Sequence, residues 1–135
     1  MKKLLTYIFL FYSLLIIMPG CKKDENPTTP DSGSVIGKWR ILTSNGIDVS
    51  NAGGTYDITE TQITENWTAF SCTKVYSYTK SGNNYTTILQ STTCTIQGND
   101  PSNVPGYKAT GTFVVSGNKL TITLEKGTVV VCQRM

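Results

Sequence analysis

Leu120-Thr121-Ile122-Thr123-Leu124 alternates strictly between apolar residues and threonine. An extended chain with that period has one face for a core and one for water, so the stretch predicts an antiparallel strand, wet on one side. Ser116-Gly117-Asn118-Lys119 precedes it and Glu125-Lys126-Gly127 follows it. Both are hairpin chemistry, because Gly and Asn tolerate positive φ. Three consecutive strands are therefore expected, at 108–115, 119–124 and 128–134. Upstream, Ser81-Gly82-Asn83-Asn84 divides a pair at 73–79 and 85–96. Strands are also expected at 38–43, 55–59 and 62–69, with Asn51-Ala52-Gly53-Gly54 as a turn. The prolines fall at Pro19, Pro27, Pro30, Pro101 and Pro105, so 31–100 and 106–135 can form ladders without losing a donor. The one long loop expected is 98–105, and no segment carries a helical period with caps.

The expected fold is therefore all-β: a single antiparallel up-and-down barrel of about eight strands, with a two-sheet β-sandwich as the alternative. Closure is favoured because it removes the exposed edges that invite aggregation. The chain has 135 residues and a formal charge of +3. From Val35 onward eight basic residues face six acidic ones, a surplus too small to imply a nucleic-acid partner. Histidine is absent, which removes the usual neutral-pH base, the Ser-His and Cys-His nucleophile pairs and imidazole ligation. No enzyme activity, cofactor or metal is expected.

The N-terminus reads as an address. Lys2 and Lys3 precede an almost unbroken apolar run from Leu4 to Met18, too short for a membrane span of roughly twenty residues. Residues 1–20 are expected to be a signal peptide. Gly20-Cys21 directly after this run resembles the lipobox of bacterial lipoproteins, although Met18-Pro19-Gly20 lacks the usual Leu and Ala/Ser. The resemblance implies cleavage before Cys21, diacylglycerol on its thiol and an acylated new amino group. Residues 21–34 contain nothing apolar enough to pack and are expected to be a flexible tether. Lys22-Lys23-Asp24-Glu25-Asn26 resembles the export signal of Bacteroidota lipoproteins, which implies an outer-membrane address, with the outer cell face as one option.

The domain expected at 35–135 opens with Ile36-Gly37-Lys38-Trp39 and nearly ends on Arg134. This arrangement resembles the lipocalins and smaller lipocalin-like lipoproteins, in which Gly-x-Trp opens the barrel and an Arg from the last strand covers the Trp ring. The resemblance makes Gly37, Trp39 and Arg134 a structural closure site. It implies a monomer holding a small apolar or amphipathic ligand inside the barrel. An envelope interaction or inhibitor module with a filled barrel is the other reading.

Counting outward from the 81–84 turn places Cys72 almost opposite Cys94, which favours a disulfide between them. Cys132, within Val129-Val130-Val131-Cys132, is expected to be a small buried hydrophobe. Asp57, Glu60 and Glu65 cluster around an apparent turn and are expected to face water. Tyr56, Trp67, Phe70, Tyr76, Tyr78, Tyr85 and Tyr107 could line a pocket, with core and strand-face packing the simpler expectation.

Overall fold

The computed structural model describes residues 33–95 and 100–135. The leader at 1–20, Cys21 and the tether as far as residue 32 lie outside the described residues. Strands form where the β-branched and aromatic residues were expected to place them. They are β1 (Gly37–Ser44), β2 (Ile47–Asp48), β3 (Gly54–Ile58), β4 (Gln62–Trp67), β5 (Cys72–Ser81), β6 (Asn84–Thr92), β7 (Lys108–Ser116), β8 (Lys119–Leu124) and β9 (Val129–Arg134). From β3 to β9 each strand pairs antiparallel with the next, and β3 also pairs with β1. The ends of this sheet then meet, because β9 pairs with β1 through Trp39↔Arg134, Ile41↔Cys132 and Ser44↔Val130. Eight strands thus close a barrel, and that ladder excludes the sandwich.

The ninth strand is β2, which folds back on the end of β1. Ser44-Asn45-Gly46-Ile47 makes this possible. Asn45 (φ 50°) and Gly46 (φ 77°) both take the positive φ that a tight two-residue hairpin requires. Asn45 also accepts from the Val129 amide through its side-chain oxygen at 2.9 Å and donates its own amide to the Val129 carbonyl at 2.7 Å.

Two strands end earlier than expected. β4 stops at Trp67, where a 3-10 turn (Thr68–Phe70) and Ser71 at φ 48° redirect the chain into β5. The Thr68 hydroxyl anchors this turn by donating to the Gly53 carbonyl at 3.3 Å. β6 stops at Thr92, and past it the chain carries Cys94 onto Cys72, with Cα atoms 4.5 Å apart. In place of the loop expected at 98–105, the described part contains a 3-10 turn at Pro101–Asn103.

One end of the barrel is filled. Alternate, inward-facing positions along the strands bring Trp39, Ile41, Ile58, Ile63, Phe113, Val115, Leu120, Ile122 and Cys132 into one buried cluster. Val35 lies under this end, only 3% exposed, and its carbonyl accepts from the Trp39 indole N–H at 2.7 Å. Arg134 covers the other side of the indole, its guanidinium carbon 4.2 Å from the ring centroid. It also donates to the carbonyls of Ser34 (2.7 Å) and Ile36 (3.3 Å). Gly37 makes room for this stack: it sits at φ 132°, and a Cβ there would stand 3.0 Å from an Arg134 nitrogen.

Trp39 and Arg134 should therefore be energetically coupled. Trp39→Ala is expected to cost about 3–5 kcal/mol as a truncation of a fully buried side chain. In a double-mutant cycle with Arg134→Ala, followed by urea denaturation, a coupling of about 1 kcal/mol is expected. Additive losses would mean that the ring and the guanidinium do not interact.

Candidate functional site

The other half of the barrel is hollow. A cavity of about 540 Å³ runs from the Phe113 and Ile63 side chains to a mouth formed by the ends of β1 and β8, the start of β9 and the 101–103 turn. Its walls follow from the two-residue period of the strands. On β3, Tyr56 shares the inward face with Ile58; on β4, Glu65 falls between Ile63 and Trp67; on β5, Tyr76 falls between Lys74 and Tyr78. The change from aliphatic to aromatic and polar residues along these same faces converts a packed core into a lined space.

Glu65 is the residue that the sequence reading misplaced. Asp57 does face water, with a surface ion pair to Lys38 at 3.7 Å, and Glu60 is exposed. Glu65 instead turns into the barrel, half-buried among the cavity walls. Its proximity in sequence to the other two acids is misleading. Counting by twos from Ile63 to Trp67 is the signal that could have found it.

The Glu65 carboxylate accepts from the Trp67 indole N–H at 2.5 Å and from the Tyr76 hydroxyl at 3.0 Å. The register places Tyr56 beside it on one strand and Lys74 on the other. Lys74 does not clamp it, because the only ion pair within 4 Å among the described residues is Lys38–Asp57. Burial, reinforced by the Glu65 charge, holds the Tyr56 hydroxyl well above the ordinary tyrosine range. Burial likewise raises Tyr76, with the charge and accepted hydrogen bond of Glu65 adding to it. Both stay protonated, and Tyr76 serves as a neutral hydrogen-bond donor to Glu65.

The other aromatics divide between wall and floor. Tyr85 stacks on Phe113 with ring centroids 4.0 Å apart and planes 9° from parallel. Tyr78 lies beneath, edge-on to Phe113 at 6.2 Å, and donates its hydroxyl to the Thr59 carbonyl at 2.7 Å. Tyr107 lines the mouth side of the cavity. Phe70 lies outside it, an exposed tip 6.2 Å from Trp67. Trp67 can lie flat across β3 only because Gly54 is its cross-strand partner. A Cβ there would fall 2.6 Å from the indole.

Compared with protein-family models, curated proteins and solved structures, the chain matches none. The site must be read from its own chemistry. Gly37, Trp39 and Arg134 come together at the filled end, away from the cavity. The Cys72–Cys94 disulfide ties the start of β5 to the chain beyond β6. Among the described residues no three His, Cys, Asp or Glu side chains gather as a metal set. Cys132 is fully buried, and its thiol is pushed up to about 12, by burial first and the Glu65 charge second. A thiol so protonated is a poor nucleophile.

Alkaline titration tests this interior. Burial raises the folded-state pKa of Cys132 and Tyr85 to about 12, above ordinary values near 9.0 and 10.0. The unfolded chain releases these protons first. Their contribution to stability is thus intact below pH 9 and lost as pH rises from there through 12. Denaturant midpoints measured between pH 8 and 11 should fall, and Cys132→Ala should flatten the early part of the fall. Midpoints that hold constant would contradict the burial of both groups. Reduction of the disulfide, which closes a separation of 22 residues, should cost about 3 kcal/mol in the same assay at pH 8.

Proposed function

We propose that this chain is a lipid-anchored envelope protein whose lipocalin-like barrel binds a small apolar or amphipathic ligand, without catalysis and as a monomer. The observation that carries the reading is the cavity of about 540 Å³, whose lining combines aromatic and aliphatic side chains with charged ones, Glu65, Lys74, Lys108, Glu125 and Lys126 among them. Sites for small molecules are concave and preformed, with apolar walls to take up hydrocarbon and polar groups to orient the ligand. The half-filled barrel fits the reading, since the packed end supplies stability and leaves the other end free.

The envelope address rests on the sequence alone. The basic start, the apolar run and Gly20-Cys21 support acylation, and two or more acyl chains at about 0.8 kcal/mol per methylene would hold the protein on its membrane. The Lys-Asp-Glu run after Cys21 supports the outer membrane. Exposed Ile47 and Phe70 near the mouth favour a second reading, in which the rim contacts another envelope protein.

Native mass spectrometry of the protein purified from its own host decides between these readings. A co-purifying lipid or metabolite is expected; a stoichiometric protein partner with an empty barrel would favour the rim. For the anchor, a clickable fatty acid should label the native chain and not Cys21→Ala, which should leave the membrane fraction. Equal behaviour of the two forms would contradict acylation.

A further inference from the structure

If the cavity is a ligand site, as proposed above, its lining also narrows the chemistry of the ligand. A carboxylate inside an apolar space is costly unless its acceptors are met. Glu65 has two donors, Trp67 and Tyr76, both neutral. A carboxylate offers about four acceptor positions, so about two remain for a ligand. Lys74 lines the same cavity as its cross-strand neighbour, yet stands outside ion-pair distance. The negative charge is therefore held in place without being neutralised.

Around it, Tyr56, Trp67 and Tyr76 line the cavity. Aromatic faces and a carboxylate attract one kind of head group, an organic ammonium. The carboxylate supplies a charge-assisted hydrogen bond and the rings supply cation–π attraction. Ile41, Phe113, Ile122, Leu124 and Val130 complete the walls and would take up hydrocarbon. We infer that the barrel binds a small amphiphile whose head is a protonated amine, with Glu65 as its counter-charge and the neighbouring aromatic side chains as its walls. An anionic head would meet Glu65 as a like charge. Lys74, Lys108 and Lys126, which also line the cavity, make it the competing outcome.

The test is a head-group series at pH 7: octylamine, octanol and octanoate titrated into the full-length chain, with Cys21→Ala keeping acyl chains off the protein. Tryptophan fluorescence reads occupancy, since Trp67 lines the cavity. Octylamine is expected to bind at least about tenfold more tightly than octanol, as a charge-assisted hydrogen bond implies. Glu65→Gln should abolish that preference, bringing the amine's affinity down to that of octanol for the same variant. Lys74→Met should strengthen it. If octanol binds as well as the amine, or octanoate binds best, the inference falls and the cavity reading stands. If no probe binds, the cavity reading falls and takes the inference with it. Should Glu65→Gln fail to fold, the head-group order in the unsubstituted cavity and the Lys74→Met response still decide: a preference weakened by Lys74→Met would overturn the role of Glu65.

Discussion

The ladder between β1 and β9 is the constraint on which the rest of the barrel depends. The barrel strands, of five to ten residues and mostly joined by short turns, bury little individually, and an open meander would leave two edges of unpaired amides. Pairing Trp39 with Arg134 and Ile41 with Cys132 removes both edges and encloses their shared interior face. The seam also places the last basic side chain over the first tryptophan, so joining the edges and plugging the end are one event. Val35 completes the plug through the indole N–H.

Once that end is sealed, side-chain identity along each strand decides where the barrel is solid and where it is hollow. The inward positions of β8 are aliphatic along the strand, Leu120, Ile122 and Leu124. On β3 to β6 the inward positions beyond the floor include Tyr56, Glu65, Trp67, Lys74, Tyr76 and Thr87, and these stand around the cavity without filling it. Near the mouth the sheet is thinner, since β6 pairs with β7 only as far as Ile88. Beyond it, the Leu89 carbonyl accepts from the Gly106 amide, the Leu89 amide donates to the Tyr107 carbonyl, and the Cys72–Cys94 bridge ties down the chain further on. The covalent link thus lies where the ladder lapses.

Much of this was legible in the residue pattern, and the failures have physical causes. The alternation at Leu120–Leu124 and the Gly-Asn turns indicated the strands, because period and turn chemistry are local. Closure was less accessible, since a ladder between residues nearly a hundred positions apart leaves no local trace; Gly37, Trp39 and Arg134 hinted at it only by their placement. The Asn45-Gly46 turn was overlooked although its chemistry is the strongest short-range hairpin signal. Glu65 was misjudged because it was read with its charged neighbours and not with its strand face. A lone carboxylate on an apolar face contradicts the pattern that defines the face, and such conflicts gather at functional sites.

The most direct measurement of the central claim is native-state hydrogen exchange at the seam. If β1 and β9 close the barrel, the amides they exchange across the seam should be protected as strongly as those between β4 and β5, opening only with global unfolding. Fast exchange along β9 on its β1 side, with β4 and β5 still protected, would show an open sheet and contradict the closed, half-filled barrel.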